Sequence, residues 1–195
     1  MYRALSHRGV TNMRMEKMWK SKIPTEAKVF MWLASLGRLQ TGTVLKSMNW
    51  KGNPNCGVCG KKETVDHIFF SCVVAKFTWA CIREMFGWEE TPTTLDHFME
   101  AWVPLGCRDY SLKIYMLACV MWALWVIRNK STIEGVMIKN PTDVLFKIQH
   151  FMQLWRPRLR EKDKEELSRA TTQARSWMEA FLEKLKQQPP DEAFL

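Results

Sequence analysis

The sequence predicts a mostly α-helical protein, in which a small helical domain with a cysteine-rich loop between its helices is followed by a C-terminal helical extension. Apolar residues recur at steps of three and four along most of the 195 residues, and strict alternation is rare. Proline and glycine stand where these periodic stretches begin and end. With 47% hydrophobic and 25% charged residues, the chain has the composition of an ordinary globular protein.

The predicted helices are bounded by recognisable start and stop signals. The first follows Pro24 and precedes Gly37, and Thr41 is predicted to cap the second. Asp66 is predicted to cap a long third helix, which Gly87 ends. In order, the predicted helices are Thr25–Leu36, Thr41–Met48, Asp66–Phe86, Leu95–Trp102, Asp109–Lys130, Thr142–Trp155 and Glu161–Gln187.

Two stretches of the C-terminal half need interpretation. Ile114–Ile127 is a run of 14 apolar residues, shorter than the roughly 20 that span a bilayer, so a buried central helix is predicted and no membrane span. Glu161–Gln187 is richer in charge, and it is either a last helix packed on the body or a semi-detached arm that grips a partner with Trp177 and Phe181. The predicted division is a domain at 1–130, an extension at 131–187 and a disordered tail at 188–195.

Positive charge is concentrated in the first third of the chain. Residues 1–62, called the basic segment below, hold 12 Lys or Arg and 2 acids, whereas residues 63–195 hold 17 and 18. Such asymmetry is typical of a protein that meets phosphates or an acidic partner. A solvated basic face without a partner is the alternative.

The N-terminus and the cysteines bear on localisation. The opening residues carry three Arg and no acid before Glu16, which is the composition of a mitochondrial presequence and also of a basic frayed terminus. No hydrophobic leader is visible, and Cys81, Cys107 and Cys119 lie in apolar stretches, as reduced core thiols do. We expect an intracellular protein of the nucleus or cytoplasm, with a mitochondrial location left open.

The chemistry of the sequence is concentrated in CGVCGKKETVDHIFFSC, residues 56–72. Cys56 and Cys59 form a CxxC turn whose amides point at the sulfurs, and His67 and Cys72 follow at metal-ligand spacing. Three thiolates and one imidazole suit a soft tetrahedral ion, for which zinc is the common choice. The sequence therefore predicts one structural Zn²⁺ in a CCHC zinc knuckle between helices.

A site with four protein ligands is closed, which makes it structural rather than catalytic. Glu63 and Asp66 lie close in sequence, but a helix cap and an acceptor for a ligand or a Lys explain them equally well. Gly57 and Gly60 are expected to permit the bend of the CxxC turn. Unrelated buried thiols are the alternative to a metal site. No catalytic residue and no small-molecule substrate are predicted, because the remaining His residues have no partner at a readable spacing.

Further segments surround these ligands in a fixed order: YRAL at 2–5, KMWKSKIPTEAKVFMWLASLGRLQT at 17–41, the CxxC pair, Glu63-Thr64, Asp66-His67, Cys72, Trp79 and WALWVIRNK at 122–130. This order resembles the zinc-binding region found downstream of reverse transcriptase in plant non-LTR (LINE-type) retroelements and in gene fragments derived from them. The resemblance covers about residues 2–130, and it is most specific over the first 80.

The resemblance implies a non-catalytic accessory module that helps to hold template RNA or DNA. The enzymatic parts of such elements are missing from the sequence: it has no YxDD-type aspartate pair, no endonuclease segment and no acids placed like those of ribonuclease H. A chain that starts inside the upstream motif of the family looks like a stand-alone fragment or a domesticated derivative.

Two functions of different class remain open at this level. One is a domesticated regulatory factor whose C-terminal helices bind, sequester or inhibit a partner protein, as in toxin–antidote pairs or immune decoys. The other is nucleic-acid binding, with unpaired bases stacked on Trp19, Trp32 or Trp50. The predicted phosphate contacts are Lys17, Lys20, Lys22, Lys28, Arg38, Lys46, Lys51, Lys61 and Lys62.

Overall fold

The computed structural model describes residues 13–103, 110–138 and 140–187, and these are mostly helical, with no strand beyond an isolated bridge between Asn55 and Lys62. Three predictions lie outside the described residues: the presequence-like N-terminus, Cys107 and the disordered tail. The helices are α1 (Met13–Lys20), α2 (Thr25–Ser35), α3 (Gly42–Ser47), α4 (Val73–Phe86), α5 (Leu95–His97), α6 (Tyr110–Ile133), α7 (Asp143–Trp155) and α8 (Glu161–Gln187). Turns of π-helix cover His67–Ser71 and Phe98–Trp102, and a 3₁₀ turn covers Arg156–Arg158.

The predicted helices are present, with small shifts at their ends, and one prediction is wrong. The long helix expected from Asp66 is interrupted at Cys72, whose backbone is extended (φ −62°, ψ 149°). Asp66 makes no capping hydrogen bond, and its carboxylate instead accepts the backbone N–H of Leu95 at 3.4 Å. The cap is Thr64, whose hydroxyl accepts the N–H of His67 at 3.1 Å. The carboxylate of Asp66 does not cap the helix because Leu95, at the start of α5, lies within hydrogen-bonding distance of it.

Helix α6 forms the centre of the protein. Half of its 24 residues are buried, among them Ile114, Tyr115, Leu117 and Val120, each with no exposed surface. By length and composition it is the one helix in the described ranges that is able to cross a bilayer, yet 61% of its apolar stretch is buried inside the protein. A core helix meets the same criteria, so this is weak evidence for a membrane span.

An aromatic cluster joins the N-terminal half to α6. The ring of Phe30 on α2 lies 5.2 Å from Trp122 and 5.8 Å from Trp125, measured between centroids. Phe69, in the π turn, lies 5.8 Å from Phe30 and 6.4 Å from Trp125. These rings make α6 a common wall for both the N-terminal helices and the cysteine-rich segment.

The C-terminal helices complete the core. The hydroxyl of Tyr115 donates a hydrogen bond to the carbonyl of Met152, which fixes α7 on α6. On α8, Trp177 stacks on Phe181 at 5.1 Å, and Phe181 lies 6.0 Å from Phe77 of α4. Helix α8 contacts α4 through these rings. The residue boundaries of the predicted domains stay predictions.

Two of the thiols that lie outside the cysteine-rich loop are core groups. Cys81 and Cys119 are buried, as predicted for reduced core thiols. Burial, with a smaller contribution from Glu84, raises the pKa of Cys81 to about 12. Burial likewise raises the pKa of Cys119 well above that of a free thiol. Both are therefore protonated and unreactive at neutral pH.

Replacing Phe30 with alanine should destabilise the whole protein, because the side chain is 6% exposed and contacts three aromatic rings, one from the π turn and two from α6. We expect Phe30→Ala to lower the free energy of unfolding by about 3–5 kcal/mol in urea denaturation. Phe146→Ala is the matched control, since that ring is 47% exposed, and its cost should stay within about 0.5 kcal/mol. Equal costs for the two variants would contradict this description of the core.

Candidate metal centre

The first two candidate ligands lie on a tight loop. The N–H of Gly60 donates to the carbonyl of Cys56 at 2.9 Å, and the N–H of Cys56 donates to the carbonyl of Lys61 at 2.8 Å. Gly60 has φ +70°, in the left-handed region that glycine adopts without strain. Gly57 does not have a positive φ, so of the two glycines expected to permit the bend, the backbone requires Gly60 alone. The loop turns both Cys56 and Cys59 toward one point.

The other two candidate ligands depend on the π turn. His67 and Cys72 are five residues apart, and in an α-helix such residues point about 140° away from each other. Here the N–H of Cys72 donates to the carbonyl of His67 at 2.8 Å, which is the i to i+5 bond of a π-helix. Because the π turn is wider than an α-helical turn, it brings Cys72 back to the side of the helix on which His67 lies. The interruption at Cys72 is therefore what places both side chains at the site.

The four ligand atoms converge. Those of Cys56, Cys59, His67 and Cys72 all lie within 4.8 Å of one another, and no other such group occurs in the parts of the chain that are described. The sulfurs of Cys56 and Cys72 are 3.8 Å apart, and Cys59 Sγ lies 3.2 Å from His67 Nε2. A tetrahedral zinc with Zn–S bonds of about 2.3 Å requires sulfurs about 3.8 Å apart. The donor set and its spacing fit zinc.

The imidazole of His67 is placed to bind through Nε2. This nitrogen faces the thiols, while Nδ1 lies 3.5 Å from the hydroxyl of Ser71, one helical turn ahead. With its proton on Nδ1, the ring donates to Ser71 and presents the Nε2 lone pair to a metal. His67 is 5% exposed, so its orientation is fixed by packing as well as by this contact.

The two buried thiols influence each other's ionisation. Contact with Cys72 lowers the pKa of Cys56 well below that of a free thiol, whereas contact with Cys56, together with burial, raises the pKa of Cys72. One proton shared by two sulfurs explains both directions, because the thiol of Cys72 donates to the thiolate of Cys56. A bound cation takes the place of that proton, and metal binding at such a site releases protons.

A buried ion pair supports the loop from behind. Oε1 of Glu63 accepts hydrogen bonds from Arg128 Nε at 3.0 Å and Nη2 at 2.5 Å, and from the backbone N–H of Gly42 at 2.7 Å. Glu63 is 1% exposed and Arg128 is 8% exposed. The guanidinium also lies 5.0 Å above the ring of Trp125. One carboxylate thus holds together the cysteine loop, the start of α3 and the C-terminal part of α6.

The start of α3 leaves no room for a side chain at Gly42. A Cβ built there would lie 2.2 Å from the carbonyl oxygen of Pro54, which belongs to the loop before Cys56. The next residue, Thr43, donates both its N–H and its hydroxyl to the carbonyl of Glu63, at 3.2 and 3.0 Å. The close approach of Gly42 to Pro54 and the hydrogen bonds of Thr43 to Glu63 therefore hold both ends of the cysteine loop against the start of α3.

The predicted phosphate contacts are mostly on the surface. Lys28 is partly buried, Lys20 pairs with Glu16 at 2.8 Å, and the side chain of Lys17 lies outside the described part. The six remaining side chains are exposed, and none of them makes an ion pair in the described part of the chain. They are Lys22, Arg38, Lys46, Lys51, Lys61 and Lys62.

The three tryptophans proposed to stack on bases differ in exposure. Trp19 is 40% exposed. Trp32 is partly buried against the core, and the ring of Trp50 covers the backbone of Gly52 so closely that a Cβ there would collide with it. Among the three, Trp19 has the most accessible ring.

Comparison with known families agrees with this geometry. Residues 1–79 match the family described as zinc-binding in reverse transcriptase. The matched range contains all four candidate ligands and Glu63, whereas Arg128 lies outside it. No curated protein and no solved structure matches the chain. The match and the Cys₃His cluster together support a reverse-transcriptase-associated zinc-binding domain in this part of the protein.

Sequence reasoning missed the partners of the ligands. Glu63 was expected to accept from a ligand or a Lys, but its partners are Arg128 and the N–H of Gly42. The pair was not readable from spacing, because 65 residues separate the two charges. Thr64 carried a usable signal, since a threonine three residues before His67 is a common helix cap. The contact of Ser71 with His67 follows from the four-residue step between them.

Loss of one ligand should release the metal. We expect Cys72→Ser to abolish stoichiometric zinc, measured by elemental analysis of the purified protein, and to expose the loop to protease. Cys81→Ala is the control, because Cys81 is buried away from the cluster and should leave zinc content unchanged. Full zinc in Cys72→Ser would show that the ligand set is wrong.

Breaking the ion pair should destabilise the metal centre from a distance. Arg128→Met leaves the Glu63 carboxylate buried without its counter-ion, and we expect a loss of about 3–5 kcal/mol in the free energy of unfolding. The double variant Glu63→Gln/Arg128→Met should recover part of that loss, since no buried charge remains. Chelator-driven zinc release should be faster in Arg128→Met than in the wild type. An additive double variant would show that the two residues act independently.

Proposed function

We propose that this protein is a non-catalytic zinc-binding module that binds single-stranded RNA or DNA through its basic segment. The observation that carries the proposal is the combination of an excess positive charge in residues 1–62 with exposed side chains that have no internal counter-ions. Seven of the nine predicted contacts are exposed, and Lys20 alone among these seven pairs with an acid in the described chain. Unpaired surface cations of this kind gain binding free energy by displacing the counter-ions of phosphates.

The zinc would act structurally in this proposal. Four protein ligands fill a tetrahedral site and leave no position for a substrate or an activated water. Zinc would hold the loop of Cys56 and Cys59 on the π turn, and with it the neighbouring Lys61 and Lys62, which are both exposed. The match to a zinc-binding region of reverse transcriptase supports a role beside nucleic acid rather than a catalytic one.

The origin and the location of the protein belong to the same proposal. The ordered pattern over residues 2–130 supports descent from a plant LINE-type retroelement, as a stand-alone fragment or a domesticated derivative. Such a protein would act in the nucleus or the cytoplasm, where RNA and DNA templates are found.

A protein-interaction role is the second candidate, and exposed apolar side chains favour it. Phe146 and Leu154 on α7 are 47% and 58% exposed, and Ile133, at the end of α6, is 71% exposed. A partner protein that covers these side chains would give a complex that resists high salt, because apolar contact is not screened. The two candidates therefore differ in the salt dependence of the complex.

Fluorescence anisotropy with a labelled oligo(U) of about 12 nucleotides tests the main proposal. We expect the logarithm of the binding constant to fall with the logarithm of salt concentration, by about 0.7 for each phosphate contacted. Lys61→Glu/Lys62→Glu should weaken binding about tenfold or more. The control Lys162→Glu/Arg169→Glu changes the net charge equally on exposed positions of α8 and should have a much smaller effect.

Two outcomes would reject nucleic-acid binding. One is the absence of binding by folded, zinc-loaded protein at low salt. The other is a tight complex with a protein that survives about 1 M salt, where ionic contacts are screened within about 3 Å. The second outcome would establish the protein-interaction role instead.

A further inference from the structure

A cleft of about 290 Å³ lies between the C-terminal end of α7 and the middle of α8. Met152 and Leu167 form its apolar part, and they are 6% and 2% exposed. The rest of its lining is polar and lies at the surface or only partly below it. Ligand pockets commonly measure about 300–1,000 Å³, so a cleft of this volume suits a small molecule.

Two arginines line the cleft from opposite sides. Arg156 belongs to the 3₁₀ turn after α7, and Arg175 belongs to α8. Both side chains are exposed, and no Asp or Glu is part of the lining. The cleft therefore combines two positive charges with no acidic side chain of its own.

The guanidinium of Arg156 is held in place at the wall of the cleft. Its Nη2 donates a hydrogen bond to Ser168 Oγ at 2.9 Å, and Ser168 Oγ in turn donates to the carbonyl of Lys164 at 2.7 Å. A guanidinium has five N–H donors, and this contact uses one of them. Arg156 is thus positioned by α8 while it keeps donors for a ligand.

The acids of α8 do not neutralise these arginines. Within the part of α8 that the structure describes, the ion pairs join Glu161 to Lys164 at 2.6 Å and Glu183 to Lys186 at 2.8 Å. Neither arginine of the cleft makes an ion pair with any described residue. Their charges are therefore available to an anion from outside.

Three hydroxyls on the α8 side of the cleft act as acceptors. Ser168, Thr171 and Thr172 each donate their proton to the carbonyl four residues earlier, at 2.7, 2.6 and 3.0 Å. Because these protons are used within the helix, each oxygen offers a lone pair to the cleft. Acceptors of this kind suit the O–H groups of a sugar, whereas the arginines suit an anion.

We propose that this cleft binds a small phosphorylated sugar or a nucleoside monophosphate, with the phosphate on Arg156 and Arg175 and the sugar on the hydroxyls of α8. The planar guanidinium fits phosphate oxygens through two parallel hydrogen bonds. A simple carboxylate would satisfy the arginines but would leave the α8 hydroxyls without donors. The cleft lies beyond residues 1–79, which match the zinc-binding family, and apart from the basic segment. The inference is therefore independent of the proposed nucleic-acid binding.

Calorimetric titration of the full-length, zinc-loaded protein at constant ionic strength tests the inference. We expect uridine 5′-monophosphate to bind at least about tenfold more tightly than uridine or inorganic phosphate, because each of these reaches only one half of the site. Arg156→Gln and Arg175→Gln should each weaken binding about tenfold or more, since each removes a charged donor. Arg158→Gln is the matched control: it removes an equal charge from the same turn, outside the lining, and should weaken binding less than about twofold. Thermal melting shows whether each variant remains folded.

A 5′-phosphorylated oligo(U) identifies the source of the phosphate. If it binds more tightly than the same strand with a 5′-hydroxyl, and Arg156→Gln removes the difference, the cleft holds the end of a nucleic-acid strand. If the two strands bind equally while uridine 5′-monophosphate binds as expected, the ligand is a free small molecule. Both results support a site for a phosphorylated sugar.

Three results would overturn the inference. The first is that folded wild-type protein does not bind uridine 5′-monophosphate, or binds inorganic phosphate equally well. The second is binding that Arg156→Gln and Arg175→Gln leave unchanged. The third is binding of a poly-glutamate peptide without binding of uridine 5′-monophosphate, which would assign the cleft to an acidic protein partner. Lys61→Glu/Lys62→Glu should leave binding of uridine 5′-monophosphate unchanged, so failure of this site and failure of the proposed function are distinguishable.

Discussion

The carboxylate of Glu63 is almost completely removed from water, so its charge has to be satisfied by the protein. Three donors from two distant segments meet at one of its oxygens: two from the Arg128 guanidinium and one from the Gly42 backbone. A buried ion pair of this kind adds little net stability compared with apolar packing, but removal of one partner is costly. The ion pair fixes the relative positions of the cysteine loop, α3 and α6, because its hydrogen bonds form in one arrangement of these three segments. The metal centre and the aromatic wall behind it both depend on that arrangement.

The metal centre shows how a local irregularity serves a site. A regular α-helix from residue 66 would point His67 and Cys72 in different directions, and no four-ligand cluster would form. The π turn removes this difference at the cost of less favourable hydrogen-bond geometry. The free energy of binding a metal ion to four converging ligands, on the order of 10 kcal/mol in zinc-finger peptides, is large enough to offset such a cost. Loop, turn and ligands are thus best understood as one folding unit.

The family match ends at residue 79, inside α4, but side chains beyond this residue pack against the matched region and support it. Trp122 and Trp125 cover Phe30, and Arg128 neutralises Glu63, so α6 supplies both apolar and ionic support to residues 1–79. The helices α7 and α8 in turn cover α6 and α4. The zinc-binding domain is therefore embedded in a larger core, and the region beyond the match contributes to its stability.

The sequence by itself determined the helical class, most helix positions and the four converging side chains, because periodicity, caps and ligand spacing are local properties. It also located the excess charge. What it did not determine depends on contacts between distant residues: the partner of Glu63, the crowding at Gly42 and the interruption at Cys72. Asp66 illustrates the difference, since its local pattern is that of a cap, yet Leu95 lies close enough to take its hydrogen bond. Only the tertiary structure decides between such partners, because a side chain bonds to whichever donor the packing of the whole chain brings within reach.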